Sequence, residues 1–190
     1  MKRIFIAVKT DPQGDLLRMF SSLKARLGAE NIKWVDPANL HLTLAFLGDT
    51  EEKKLAVLKS MLHDTCSGFG NFDFNLTGTG VFKSYRDPRV LWVGIQAAER
   101  LVQLNKTITE GLRNIGFELE ERQFKPHLTL VRIKSLKDTE NLKILLENYR
   151  DFQFQTVHVN EVILFESILK QTGPIYKPLG IYSISAGADL

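Results

Sequence analysis

A chain of 190 residues that is 44% hydrophobic and 25% charged can enclose a sizeable core and is too apolar for a disordered tail. A single cysteine, Cys66, excludes an internal disulfide and a cysteine-rich zinc site and fits a reducing cytoplasm. The net charge of +3 mildly favours an anionic partner without a dense basic block to define one, and no apolar run approaches the roughly 20 residues a membrane span needs.

In chain order, "KRIFIAVKT" (2–10) is rich in Ile, Val and Phe and predicts a strand. Its apolar part is too short for the core of a signal peptide and is closed by Lys9 and Asp11. Residues 11–27 predict a helix, with Leu16, Leu17, Phe20, Leu23 and Leu27 near helical spacing and Asp11-Pro12 as its start. "IKWVD" is a short strand or an extended entry. "HLTLAFLG" (41–48) is a strand ended by Gly48-Asp49, and 51–66 a helix with acidic residues in its first turn, where the helix dipole favours them. Strands follow at 72–82 and 90–95, joined by the turn "SYRDPR". A helix at 99–116 closes on a glycine. "KPHLTLVRI" is a strand, 136–149 a helix, 152–167 one long strand or two, and 176–185 the last strand. No Ser/Gly linker divides the chain. The expectation is one α+β domain, 1–190, of antiparallel strands and few helices.

One feature of that order recurs. His-Leu-Thr-Leu stands at 41–44 and again 86 residues later (127 − 41), each time opening a strand that follows a helix. The chain therefore reads as two similar halves forming two lobes of one body. Because side chains alternate across a strand, His41 and Thr43 share one face and Leu42 and Leu44 the other; His127 and Thr129 repeat the pattern against Leu128 and Leu130. The leucines belong against helices. A polar pair needs partners, and two lobes related by an approximate two-fold axis would turn both pairs toward one cleft.

Two imidazoles near pKa 6.5 can take opposite protonation states near neutral pH, one removing a proton and the other supplying one. Two hydroxyls can hold the non-bridging oxygens of an anion. A phosphodiester displaced in line needs this set, and the strained ring of a 2′,3′-cyclic phosphate opens without a metal. Neither stretch carries a second His, Asp or Glu at ligand spacing, so no metal and no cofactor are expected. G-x-S-x-G and a P-loop are absent from the sequence. His63, late in a helix, and His158, in a polar-alternating strand, lack the His-x-Thr setting and read as structural. Cys66 reads as a small half-buried side chain. Lys83, Arg86 and Arg89 read as a solvated turn, the alternative being a nucleic-acid entrance.

The paired motifs resemble those of the 2H phosphoesterases, named for two H-x-T-x motifs. "RIFIAV", "HLTLAFLG", "GVFKSYRDPRVLWVGI", "KPHLTLVR" and "VILFESILKQTGPIYKPLG" together resemble the bacterial and archaeal RNA 2′,3′-cyclic phosphodiesterases, also called 2′-5′ RNA ligases. The resemblance implies a bilobal fold with a cleft between two antiparallel sheets and metal-free hydrolysis of an RNA 2′,3′-cyclic phosphate end to a 2′-phosphomonoester. It makes His41 the proton donor, His127 the proton acceptor, and Thr43 and Thr129 phosphate holders. It gives Phe46 a nucleobase to stack on and Arg132 a phosphate to bind. Each lies five positions after its histidine, an odd offset that puts it on the opposite face unless a bulge re-aims it. Phe46 is thus equally readable as core and Arg132 as a solvated charge. A monomer acting on RNA or nucleotide ends, with no obligatory protein partner, is expected. Reversible 2′-5′ joining is a further reaction of the same cleft, and a non-catalytic nucleotide or RNA sensor is the alternative.

Overall fold

The computed structural model describes residues 1–120, 123–171 and 173–185; Thr172, within the closing stretch quoted above, and residues 186–190 of the expected domain lie outside them. Among the described residues the elements run β1 (Lys2–Lys9), α1 (Gly14–Leu27), β2 (Asn31–Trp34), β3 (His41–Thr50), α2 (Leu55–Cys66), β4 (Phe72–Lys83), β5 (Pro88–Gln96), α3 (Glu99–Asn114), β6 (His127–Ser135), α4 (Thr139–Glu147), β7 (Gln153–Val159), β8 (Glu161–Lys170) and β9 (Gly173–Ser183). The stretch 152–167 is two strands, parted at Asn160, whose carbonyl accepts from the amide of Ile184. The first helix starts three residues later than its periodicity suggests. The amide group of Gln155 binds the carbonyls of Thr10 and Asp11 and the N–H of Gln13, committing that backbone elsewhere. The acidic pair before α2 occupies a separate 3₁₀ approach, Glu52–Lys54 and its cap Glu51, so the first turn of α2 itself carries no acid.

The strands form two antiparallel sheets, ordered β3-β1-β8-β9 and β2-β6-β5-β4-β7. Here the two-halves reading needs correction, because the lobes are not the halves. β1 with β3 and β5 with β6 are equivalent pairs, each enclosing a helix and ending on His-Leu-Thr-Leu. The next strand inward, however, is exchanged: β8, from the end of the chain, completes the first pair, and β4, from the first half, completes the second. β2 also crosses over, lying against β6 just before the chain returns as β3.

Burial follows from this placement. β1 is covered on both faces and so reads as one apolar run. Ile4, Ile6 and Val8 enter the main core, while Phe5 and Ala7 join Ile163 and Phe165 in a smaller cluster on the other face. The helices supply apolar stripes: Leu101, Leu104, Ile108 and Leu112 of α3 are fully buried, as are Leu42, Leu128 and Leu130, with Leu44 nearly so. Cys66 is wholly buried, deeper than the half-buried position expected, and burial pushes its thiol up to about 12, so it is inert. No described helix is long and apolar enough to cross a membrane.

Gly80 on β4 is required by close approach: a Cβ there would overlap the ring of Trp92 on the paired strand. Trp92 in turn backs Phe82, at 5.6 Å between ring centroids. Gly80→Ala should therefore displace Trp92 and cost about 1–3 kcal/mol, the usual range for overpacking; urea unfolding should show the midpoint lowered with the slope unchanged.

Candidate active site

β3 and β6, one from each sheet, pass within 8 Å of each other, and each opens at its histidine. The Nδ1–H of His41 donates to the carbonyl of Asn39 at 2.7 Å, and the Nδ1–H of His127 to the carbonyl of Lys125 at the same distance. A carbonyl only accepts, so in the neutral rings the proton sits on Nδ1 and Nε2 keeps its lone pair for the cleft. Asn39 is itself held in a 3₁₀ turn, Pro37–Asn39, whose N-cap Asp36 accepts from the amide of Ala38.

The odd offset is resolved by a bulge at the same place in both motifs. Along β3, Thr43 pairs with Ala7 and Ala45 with Ile6, leaving Leu44 as the extra residue. Along β6, Thr129 pairs with Trp92 and Val131 with Leu91, leaving Leu130 extra. One inserted residue shifts the alternation by one. Leu44 and Ala45 are both buried, as are Leu130 and Val131, and Phe46 and Arg132 emerge on the face of the histidines. Phe46 is 54% exposed and is not core.

A bulge frees a carbonyl from the ladder, and each freed carbonyl finds a donor. Leu44 O accepts from Asn105 Nδ2 of α3 at 2.7 Å, and Leu130 O accepts from the amide of Val35, just after β2, at 3.0 Å. Sequence reasoning missed the role of Asn105, although a polar residue at the i+4 position of α3's apolar stripe was its signal. The aromatic housing of the histidines was also missed. His41 lies 4.9 Å from Phe5, edge-on to Tyr176 at 5.1 Å and 6.4 Å from Phe165. His127 meets Phe82 edge-on at 4.7 Å. Of these rings only Phe5 lies on a strand next to a histidine strand; Phe165, Tyr176 and Phe82 reach in from strands two or three places away in the sheets, so period-2 patterning within one strand does not single them out.

Two cavities meet at this junction. One, of about 750 Å³, contains His41, Thr43, Phe46 and Arg132; the other, of about 910 Å³, contains His127 and Phe82 and shares Thr43 and Phe46 with the first. Thr129 lies on β6 between His127 and Arg132. Among the described residues neither threonine hydroxyl and no nitrogen of the Arg132 guanidinium has a hydrogen-bond or ion-pair partner, so none is committed elsewhere, although Thr129, unlike Thr43 and Arg132, lines neither cavity. Arg3 lies over the Phe46 ring, 5.0 Å from its centroid. No group of three or more His, Cys, Asp or Glu gathers among the described residues where it could hold a metal ion. Lys83 and Arg89 both pair with Asp87, and with Arg86 they line neither cavity, as a solvated turn should. His63 is exposed on α2, and His158 pairs with Asp73 at 2.6 Å on the surface.

Burial pulls His41 below its ordinary 6.5, the Asn39 carbonyl opposes this, and the charge of Arg132 adds to the lowering. Tyr176 is pushed up by burial, with Arg132 and Arg3 pulling it back. Arg132 of one sheet lines the same cavity as His41 and Tyr176 of the other.

The chain matches the model of the LigT-like phosphoesterases twice, over residues 6–92 and 93–176, one motif in each segment. It belongs to that family of 2H phosphoesterases. It is 32% identical over 96% of its length to the RNA 2′,3′-cyclic phosphodiesterase of Methanothermobacter thermautotrophicus, covering 98% of that protein. It is 34% identical over 95% of its length to the enzyme of the same name from Archaeoglobus fulgidus, covering 99% of it. Among solved structures it superposes on Escherichia coli LigT complexed with 3′-AMP with a TM-score of 0.74 at 25% identity, over 96% of this chain and 98% of that one. A Thermus thermophilus protein gives 0.79 at 27% identity, over 97% and 99%.

Two outcomes follow from this geometry. Asn105→Ala takes the donor from Leu44 O, a part-buried bond at the wall of the second cavity, and should cost about 0.5–1.5 kcal/mol, the usual net contribution of a hydrogen bond; chemical denaturation measures it, and chemical-shift changes should centre on residues 43–46. By NMR titration His41 should protonate below pH 6.5, and Arg132→Gln should raise its pKa. Because the folded chain binds this proton less readily than the unfolded one, His41 should cost stability as pH falls through 6.5.

Proposed function

We propose that this protein is a single bilobal domain, spanning 1–190, that hydrolyses RNA 2′,3′-cyclic phosphate ends to 2′-phosphomonoesters. The observation that carries the reading is the repeated arrangement at the junction of the cavities. Each of two strands presents an imidazole with Nε2 free, a free threonine hydroxyl, and, beyond a bulge, a residue suited to nucleotide contact. The relatives named for this activity match nearly the whole chain.

In this mechanism Thr43, Thr129 and Arg132 hold the non-bridging oxygens of the cyclic diester. His127 Nε2 removes a proton from water as its oxygen attacks phosphorus. The bond from phosphorus to the 3′ oxygen breaks, and His41 delivers the proton that this oxygen needs. The environments support that division of roles. His127 has a single aromatic neighbour, Phe82, beside a cavity of about 910 Å³ that can admit the attacking water. His41 is enclosed by aromatic rings, away from competing water. Burial and Arg132 lower the proton affinity of His41; the diester's negative charge acts against that lowering and so favours the protonated acid when substrate is bound. Phe46 offers a nucleobase a stacking face, worth roughly 1–3 kcal/mol. We place the reaction in the cytoplasm and in a monomer, since one chain supplies both histidine strands and its one thiol is buried.

With a 2′,3′-cyclic nucleotide, turnover should survive a metal chelator and yield a 2′-phosphate. His41→Ala and His127→Ala should each lower kcat by at least about 10²-fold, the lower end of general acid–base contributions, with folding intact by circular dichroism. Full activity in either variant would overturn the assignment. Tight nucleotide monophosphate binding without turnover of any cyclic phosphate would leave a sensor instead.

A further inference from the structure

The two cavities differ in charge. The one behind His127 sets Arg113 and Lys125 against Glu118 and Glu120. The one around His41 holds Arg3, Lys33 and Arg132 against one acid, Asp36, which also serves as the N-cap of the 3₁₀ turn. Lys33 is the unexplained member. It lies on β2, directly across from Arg132 on β6, so the two side chains share the cleft face of the sheet. Like charges opposite each other on neighbouring strands repel. Among the described residues neither has an acidic partner to relieve that repulsion. An anion entering from solvent would relieve it, and a pair of adjacent cations suits a pair of adjacent phosphates.

We propose that Lys33 binds the phosphodiester one nucleotide upstream, on the 5′ side, of the cyclic phosphate that Arg132 holds. This inference rests on the phosphodiesterase reading and deepens it: the substrate class is an oligonucleotide end, and the strand leaves the cleft over β2. Three features support that direction. β2 is the edge strand of its sheet, so a strand passing over Lys33 leaves at the sheet's margin. The cavity continues past Arg132 to Trp34, held edge-on against Phe20 at 5.3 Å and thus a rigid wall. Facing it is the β8–β9 hairpin, where Leu169 and Ile175 are 69% and 45% exposed, an apolar surface for the upstream base. The charge-balanced second cavity offers no comparable track for a polyanion.

The test compares kcat/KM for three substrates: a 2′,3′-cyclic mononucleotide, a dinucleotide ending in the same cyclic phosphate, and that dinucleotide with an uncharged methylphosphonate linkage. The natural dinucleotide should exceed the other two by about 3- to 10-fold, the scale of one partly screened ion pair. Lys33→Gln should erase that advantage while leaving the mononucleotide unchanged, and Lys33→Arg should keep it. The Lys33→Gln variant should also flatten the salt dependence for the dinucleotide by about 0.7 in the log–log slope. Equal loss on all substrates, no loss on any, or a methylphosphonate dinucleotide as good as the natural one would overturn the proposal while leaving the phosphodiesterase reading intact. Failure of the wild-type protein to turn over any cyclic phosphate would overturn both.

Discussion

The cleft depends on one extra residue in each histidine strand. In a regular strand His41 and Thr43 would face one way and Phe46 the other, and the same would hold for His127, Thr129 and Arg132. Leu44 and Leu130 break the alternation at equivalent places, so each strand buries two successive residues and then turns its next polar or aromatic side chain back toward the histidine. The cost is a carbonyl lost to the ladder. That cost is met differently on the two sides, by the Asn105 side chain on one and the Val35 backbone on the other. The two donors come from different elements, so the second motif is not a copy of the first; it is the same local solution reached with different support.

This explains which parts of the molecule were legible in the chain. Strand and helix order followed from periodicity, and the His-Leu-Thr-Leu repeat announced its chemistry because two polar residues on one strand face demand a purpose. The positions of Phe46 and Arg132 were not decidable. A bulge without a glycine leaves no mark in the sequence, since Leu44 and Leu130 look like ordinary core leucines. The exchange of β4 and β8 was hidden for a related reason. Their apolar patterning shows that they are buried strands and says nothing about which neighbour they pair with. Burial in two directions hid the Phe5 cluster as well, because β1 reads as a uniform apolar run whose cleft face cannot be told from its core face.

The two motifs are alike in backbone and unlike in surroundings, and that difference supports giving two chemically identical side chains different tasks. Both rings donate through Nδ1 to the carbonyl two residues earlier, so neither tautomer nor orientation separates them. What separates them is that His41 has three aromatic rings around it, Phe5, Phe165 and Tyr176, and feels the guanidinium of Arg132, whereas His127 has Phe82 alone at its side.

Strand exchange gives the cleft its rigidity. If each repeat folded as its own lobe, the two histidine strands would be joined only by linkers and the gap between them could open like a hinge. Instead, β1 of the first repeat lies against β8 near the chain's end, and β5 of the second lies against β4 of the first. β2 crosses to β6 in the few residues before His41, and on that crossing Val35 satisfies the β6 bulge and Asn39 orients the β3 histidine. The short segment that joins the two sheets therefore carries a contact to each histidine strand. In the mechanism we propose, which holds an acid and a base on opposite sides of one phosphorus, such a frame matters because misplacement by about 1 Å can cost roughly a hundredfold in rate.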